Sequence, residues 1–347
     1  METYQMLQVA WFCLWGLLWA VYFLLDGFDF GLGTLLPFLG KTEEEKRVIY
    51  NAAGPYWDGN EVWLISAGGV TFAAFPKAYA VMFSALYAPL LILLFALIFR
   101  AVSYEFRSKD TAPGWTQCWD VAQFLGNAAP ALLFGVAFAN LFMGIPIDQD
   151  GVYHGNLIAL LNPYGLAGGV LFVLIFAMHG ALWLCLKSEG ALHTKAIAAA
   201  VVLWPAVLIM TLAFLGLTAV YTKLYVNYLQ LPFLAVAPLL AVAGLLGVRF
   251  FLHSGKLLCA WASSGAFIIG VTFFGVLGMF PNILISSMNP AWSISAFNGG
   301  SSSQLTLTIM LGVALVFVPI VICYQFWMYR TFAGPVTRAQ LEDEHSY

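Results

Sequence analysis

Four acidic residues lie inside or beside long apolar segments of this sequence, where carboxyl groups can bind and release protons. Asp26 and Asp29 follow the apolar run from Leu7 to Leu25, and Asp58 and Glu61 open the next run. An Asp at the centre of a membrane helix costs about 2.5–3.5 kcal/mol on insertion scales, so such acids indicate function by default. No Lys or Arg is expected inside any long apolar run. These acids are therefore predicted to be protonated, hydrated or paired with another molecule.

The composition is typical of a polytopic helical membrane protein. The 347 residues are 62% hydrophobic and 9% charged, and the mean hydropathy is +0.87. A bilayer core of about 30 Å needs about 20 apolar residues per helix, so the long continuous runs predict helices and not barrel strands. The net charge of −3 gives no indication of nucleic-acid binding. Because no basic segment precedes it, the first apolar run is predicted to be a retained span and not a cleaved signal peptide.

Nine transmembrane helices are predicted in a single integral membrane domain, residues 1–347. They lie at roughly 7–38, 57–75, 79–99, 120–142, 165–186, 196–220, 231–252, 258–280 and 305–329. Short loops rich in Lys and Arg stay in the cytoplasm. With the N-terminus outside, all basic residues except Lys77 and Lys223 fall in inner loops or the tail, Arg100 among them. The C-terminus is then a short cytoplasmic tail, residues 330–347, and the connections 144–163 and 281–304 are outer loops.

The pair Asp26 and Asp29 allows two interpretations. Residues three apart share a helix face, and Gly27 and Gly31 have the GxxxG spacing that lets a neighbouring helix approach closely. Either the acids bind a proton or an ion, or they hydrogen-bond to neighbouring helices and stabilise a tight crossing.

The pair Asp58 and Glu61 lies at the predicted start of the second span, after Pro55. Acids in the first turn of a helix meet the positive end of its dipole, so N-terminal capping is one explanation for Asp58. Since the preceding loop is predicted to be cytoplasmic, these acids also stand where a proton would enter the membrane. We favour a proton role for Asp58.

More polar residues follow on the same predicted side. The inner loop after span 3 carries three charges that topology and solubility also explain: Glu105, Arg107 and Lys109. Asp120, Gln123 and Asn127 then recur at i, i+3 and i+7, which makes one polar stripe along span 4. Proton transfer and hydrogen bonding between helices are both compatible with this stripe.

Histidines and cysteines argue against a metal site in this chain. Only His179 lies within a predicted span, whereas a haem with two histidine ligands needs two facing helices to supply them. The five cysteines are scattered without a CxxC or Cys/His spacing, which argues against iron–sulfur and zinc sites. The sequence predicts no haem ligated wholly by this chain.

Six motifs along the chain carry a family resemblance. They lie at Asp26–Gly31, Trp57–Leu64, Phe106–Lys109, Gly135–Asn140, Leu161–Pro163 and Ser302–Leu307. Through them the chain resembles subunit II of the cytochrome bd-type quinol oxidases over nearly its whole length. The resemblance implies a nine-helix fold of two four-helix bundles plus one peripheral helix, in a bacterial or archaeal plasma membrane.

The resemblance also implies a division of labour between two subunits. A haem-bearing subunit I would carry haems b and d and the quinol site, and the heterodimer would oxidise membrane quinol and reduce dioxygen to water. This chain would ligate no haem and would not be catalytic alone. A quinone or lipid bound in this subunit and a small accessory subunit are left open.

The family's proton pathway from the cytoplasm implies site residues here. It would fall on Asp58, Glu105 and Lys109, with Glu105 at a position where family members can have Asp. Further candidates for a proton or structural role are the remaining acids Asp26, Asp29, Glu61 and Asp120. Two alternatives use the same acids: a cation-coupled secondary transporter, and a purely structural subunit.

Overall fold

The computed structural model describes residues 2 to 341 as a bundle of helices with two short strands at one end. The helices are α1 (Thr3–Leu39), α2 (Glu43–Ala53), α3 (Trp57–Ala74), α4 (Pro76–Ala85), α5 (Tyr87–Phe106), α6 (Pro113–Met143), α7 (Leu157–Leu160), α8 (Pro163–Lys187), α9 (Gly190–Tyr221), α10 (Tyr225–Gln230), α11 (Val236–His253), α12 (Leu257–Met279), α13 (Gln304–Thr331) and α14 (Arg338–Leu341). The strands are β1 (Asn282–Leu284) and β2 (Ile294–Ser295).

Eight helices of the described chain are long and apolar enough to cross a membrane: α1, α5, α6, α8, α9, α11, α12 and α13. The chain is therefore an all-α polytopic membrane protein. Helix α3 is not one of the eight, because Asp58, Asn60 and Glu61 lower the hydropathy of its 18 residues.

The boundaries predicted for the third span, 79–99, are wrong. The chain breaks at Leu86, between α4 and α5, and α5 continues to Phe106. Pro89 explains the break, since it has no N–H to donate to the carbonyl of Ala85. The third span is therefore a helix that begins at Tyr87.

Helices α1 and α8 form the centre of the bundle. Helix α1 packs against α3, α6, α8 and α12, and α8 also packs against α6, α9 and α12. The two central helices cross where Gly31 meets Gly180, and a Cβ at Gly31 would collide with the Gly180 backbone and the Phe176 carbonyl. The close approach predicted from the spacing of Gly27 and Gly31 is confirmed.

One end of the bundle gathers α2, the end of α5, the start of α9 and the segment up to Leu341. Helix α2 begins with a capping box, in which Thr42 and Glu45 exchange side-chain and backbone hydrogen bonds. Lys195 of α9 donates to Glu45 at 2.5 Å, so α2 is attached to the main bundle. Residues 342–347 of the predicted tail lie outside the described residues.

The opposite end carries the two predicted outer loops, which pack on each other. Strands β1 and β2 pair antiparallel, and Ile145 of the first loop forms a parallel bridge with Ser286 of the second. The Ser286 hydroxyl also donates to the Ile147 carbonyl at 2.6 Å. These bonds satisfy backbone groups of loop residues that have no partner within a helix.

Candidate functional site

Asp58 lies exposed in the first turn of α3. Its Oδ1 accepts a hydrogen bond from the neighbouring Gly59 N–H at 2.7 Å. The residue at the N-cap is Tyr56, which makes no side-chain cap bond. Asp58 is therefore not the N-cap residue, but it does accept from one of the free N–H groups of the first turn, and its carboxyl is exposed.

Glu105 and Lys109 are exposed at the end of α5 and in the 3-10 turn that follows it. The sequence predicts a loop here, but the chain remains helical to Lys109. The Trp57 and Tyr104 rings stack with their centroids 5.3 Å apart and their planes 8° apart. This contact holds the start of α3 against the end of α5, so the structure brings the backbones of Asp58 and Glu105 to adjacent helix ends.

Arg100 corrects the prediction that no basic residue enters an apolar segment. It lies within α5, is 0% exposed, and does not belong to an inner loop. Its Nη1 donates to Oδ1 of Asp26 at 2.8 Å and its Nη2 to Oε2 of Glu61 at 3.0 Å. The guanidinium carbon also lies 4.7 Å from the centroid of the Phe30 ring. For Asp26 and Glu61, the positive partner that the sequence analysis expected from another molecule is thus supplied by this chain.

Arg100 links three helices, because Asp26 is on α1, Glu61 on α3 and Arg100 on α5. The two acids differ in exposure: the Asp26 side chain is 0% exposed and that of Glu61 is 23% exposed. Glu61 also lies one turn after Asp58 on the same face of α3. A line of charged groups therefore runs from the exposed helix end into the protein core.

Asp29 is fully buried and has no ion pair within residues 2–341. Its Oδ2 accepts from Nδ2 of Asn60 at 2.8 Å. Asn60 also accepts from the Tyr329 hydroxyl at 3.1 Å, which connects α13 to the same group of residues. The acid is therefore held by one neutral donor, and hydrogen bonding between helices, one of the two predicted roles, is present.

Asp120 belongs to a separate cluster at the same end of the bundle. Its carboxylate accepts from Lys46 at 2.8 Å and from Arg107 at 2.6 Å, and Glu43 accepts from Arg107 at 2.8 Å. The Asp120 carboxylate raises the pKa of Lys46, chiefly through their hydrogen bond. Burial, which raises the pKa of Glu43, is outweighed by Arg107 and Lys46, which lower it. With two acids and two bases, this cluster holds α2 against α6 and against the 3-10 turn that follows α5.

The rest of the polar stripe on α6 is used for hydrogen bonding. Gln123 accepts from the Ser103 hydroxyl of α5, and Nδ2 of Asn127 donates to the Gln123 carbonyl at 2.6 Å. Gln123 thus bonds across helices, whereas Asn127 bonds back to its own helix.

The histidine within the spans does not fit a haem. Nδ1 of His179 is 2.5 Å from the Ser264 hydroxyl and Nε2 is 3.0 Å from the Leu24 carbonyl, so both ring nitrogens are occupied. The ring stacks on Trp261 at a centroid distance of 5.4 Å. Among residues 2–341 no group of three or more His, Cys, Asp or Glu side chains is arranged to hold a metal ion.

An apolar crevice of about 530 Å³ opens between α1, α3 and α13. Its wall includes Leu18, Val70 and Phe317, together with Trp63. Nε1 of Trp63 is buried and has no hydrogen-bond partner within the described chain. The lining is apolar except for Ser66 and the indole of Trp63.

Sequence reasoning missed the contributions of Arg100, Asn60 and Tyr329. Arg100 follows an apolar run, as a loop Arg does, and it is 74 residues from Asp26. Asn60 could have been identified as a polar partner from its position between Asp58 and Glu61 at the start of a helix. Tyr329, at the end of an apolar helix, resembles an ordinary interfacial aromatic residue.

Comparison with known proteins agrees with this architecture. Residues 7–332 match the family described as "Cytochrome bd terminal oxidase subunit II". The chain is 35% identical to "Cytochrome bd ubiquinol oxidase subunit 2" of Bacillus subtilis, over 96% of this chain and 98% of that protein. It is 34% identical to "Cytochrome bd-I ubiquinol oxidase subunit 2" of Escherichia coli, over 99% of this chain and 98% of that protein.

A solved structure shares the fold. A chain of the bd oxidase from Geobacillus thermodenitrificans superposes with a TM-score of 0.76 and 15% sequence identity, over 94% of this chain and 98% of that chain. The family match over almost the whole sequence, with two relatives of about one-third identity, leads to one conclusion: this chain belongs to the cytochrome bd terminal oxidase subunit II family.

Proposed function

We propose that this chain is the haem-free subunit II of a membrane quinol oxidase, which oxidises quinol and reduces dioxygen to water. Its partner would be a haem-bearing subunit I. The named relatives are ubiquinol oxidase subunits, and the chain matches nearly their full length. Both come from bacteria, which supports a bacterial plasma membrane and gives the archaeal alternative no support. The transporter alternative also finds no support in these matches.

The proposed topology has nine crossings. Helix α3 begins with polar residues, and its last residue, Ala74, accepts a hydrogen bond from the N–H of Ser302 in the predicted outer connection before α13. Helix α3 would therefore form the crossing beyond the eight apolar helices. The N-terminus would be outside and the C-terminus cytoplasmic, in agreement with the distribution of Lys and Arg. The two four-helix bundles and the peripheral helix implied by the resemblance are part of this proposal.

Proton delivery rests mainly on the position of Asp58. It is exposed at the helix end that we assign to the cytoplasmic side, and its carboxylate keeps acceptor capacity after the bond from Gly59. Glu61, one turn further on α3, leads inward to Arg100 and Asp26. We assign Asp58 to the proton pathway and Glu105 and Lys109 to its entrance.

The exposed face of α5 that carries Glu105 offers a surface for subunit I. Leu91, Leu94 and Ile98 are exposed on α5, and they precede Glu105 by 14, 11 and 7 residues, which places all four on one helix face. An apolar stripe that ends in an acid fits an interface along which protons travel. We propose that this face contacts subunit I.

The cofactors are assigned to the partner subunit. Because both nitrogens of His179 are occupied, we place haems b and d in subunit I. The crevice next to Trp63 is our candidate place in this subunit for a bound quinone or lipid.

The test is Asp58→Asn in the assembled oxidase, with turnover and proton uptake measured together. We expect a loss of turnover on the order of tenfold, which corresponds to about 1.4 kcal/mol in the barrier. The matched control is Glu189→Gln, an exposed acid in the turn between α8 and α9 at the same end of the bundle, which should leave turnover unchanged. Unchanged turnover and proton uptake in an assembled Asp58→Asn enzyme would remove Asp58 from the pathway and favour the purely structural role.

A further inference from the structure

Two fully buried carboxyl groups lie three residues apart on α1, and each has one oxygen without a donor. Oδ1 of Asp26 accepts from Arg100 and Oδ2 of Asp29 accepts from Asn60. The other two oxygens, Oδ2 of Asp26 and Oδ1 of Asp29, are buried and have no partner within residues 2–341. The two residues are three positions apart, so their side chains share one face of α1. The oxygens without a donor therefore belong to the same helix face, on which Tyr22, four residues before Asp26, also has a buried hydroxyl without a partner in residues 2–341.

Two ionised carboxylates are a poor arrangement at this place. Both would be acceptors only, and a buried acceptor without a donor costs about 1–3 kcal/mol, more if it is charged. Coulomb repulsion between two buried like charges adds to this cost. One proton between the carboxyls removes both problems, because one acid then donates and the other accepts.

Within residues 2–341 no Lys, Arg or His donates to Asp29. Arg100 is shared between Asp26 and Glu61, and Asn60 is a neutral donor. The remaining polar or ionisable groups near the pair come from α1, α5, α13 and the segment before α3: Tyr22, Tyr104, Tyr329 and Tyr56. One guanidinium thus faces three carboxyls, and a proton is the simplest way to balance the excess of negative charge.

We propose that Asp26 and Asp29 form a proton-binding site, in which one exchangeable proton is shared between Oδ2 of Asp26 and Oδ1 of Asp29. The proton forms an O–H···O hydrogen bond within the protein core. Solvent reaches this group of residues nearest at Glu61, which is partly exposed and bound to the same guanidinium. This site goes beyond the proposed pathway through Asp58, and it stands or falls on its own measurement.

Infrared spectroscopy of the intact oxidase tests the proposal directly. A protonated carboxyl has a C=O stretching band that a carboxylate lacks, and ¹³C labelling of aspartate separates this band from lipid esters. We expect such a band, sensitive to the label, in the unmodified enzyme and a downshift of the band in D₂O. No band, or a band that D₂O leaves unshifted, would overturn the proposal.

Asp29→Asn assigns the band. The amide oxygen can accept from Asn60 and the amide N–H can donate to Asp26, so this variant mimics the shared proton and should assemble. We expect it to lose the intensity of one carboxylic acid group, whereas Asp58→Asn should retain the band. Retention of the band in Asp29→Asn would contradict the assignment.

Asn60→Ser gives a second readout if Asp29→Asn fails to assemble. It keeps both acids but removes the hydrogen bond to Oδ2 of Asp29, so the band should shift in frequency without losing intensity. An unshifted band in this variant would exclude Asp29 as a member of the pair. Turnover plays no part in these measurements, so they can fail while the function proposed for Asp58 holds, and the reverse is also true.

Discussion

Replacement of Arg100 by Met tests the central ion pair of this protein. Arg100 is completely buried and donates to Asp26 and to Glu61. Methionine keeps much of the volume and the apolar contact with Phe30 but removes the charge and both hydrogen bonds. We expect a large loss of stability, because Asp26 then remains buried without its cation.

The magnitude follows from the geometry of the pair. Removal of one partner from a buried ion pair costs about 3–5 kcal/mol. Since about 1.4 kcal/mol is a factor of ten, the ratio of folded to unfolded protein would fall by on the order of 100-fold or more. Asp26→Asn in the same chain should recover part of this loss, because it neutralises the stranded carboxylate. A coupling of about 1–3 kcal/mol between the two changes is expected.

The assay is unfolding of the purified oxidase in detergent, together with the amount of assembled enzyme measured by haem absorbance. Arg249→Met is the matched control. Arg249 is exposed, with its guanidinium 5.8 Å from the Trp204 ring, and such a contact contributes no more than about 1 kcal/mol. If Arg100→Met behaves like Arg249→Met, or if its cost simply adds to that of Asp26→Asn, the ion pair does not stabilise the bundle as we argue.

Two further predictions concern the crossing of α1 and α8 and the first turn of α2. Gly31→Ala should destabilise the bundle by about 1–3 kcal/mol or more, because its Cβ would meet the backbone of α8, whereas Gly68→Ala, with nothing within 4 Å, should be tolerated. Equal unfolding of these two variants would contradict the close approach of α1 and α8. Burial raises the pKa of Glu45, but bonds from Lys195 and from the Lys41 and Thr42 N–H groups outweigh it and lower the pKa overall. Glu45 therefore stabilises the fold above its unfolded pKa of about 4.3, and this contribution is lost as the pH falls through the lowered folded pKa. Glu45→Gln should flatten the acid limb of the stability profile, and identical limbs in the two proteins would refute the role of this contact.

Hydropathy was sufficient to find the eight long apolar helices, since the energy of membrane insertion depends on local composition. The predicted spans 120–142 and 165–186 lie entirely within α6 and α8. The boundaries of the third span were wrong because hydropathy does not detect a helix break that is caused by one missing N–H donor, as at Pro89. The close crossing at Gly31 was predictable from spacing, although the partner helix was not.

The candidate site could be predicted only in part. Asp26, Asp29, Asp58 and Glu61 were visible because acids are costly in apolar segments. The hydrogen-bond partners of these acids could not be predicted. Arg100 was assigned to an inner loop, and Asn60 was not recognised as a donor because it lies between two acids. The sequence therefore indicated which groups could hold protons, but not which of them were already paired.

The sequence by itself determined the membrane class, the helical architecture and the motifs of the family, because each of these depends on residue types and short spacings. Only the tertiary structure decided the state of the acids. It brought Arg100 to Asp26 across 74 residues, while Asp29 received only a neutral donor and Asp58 stayed exposed. Whether a buried acid is balanced depends on which helices pack together, and no local pattern contains that information.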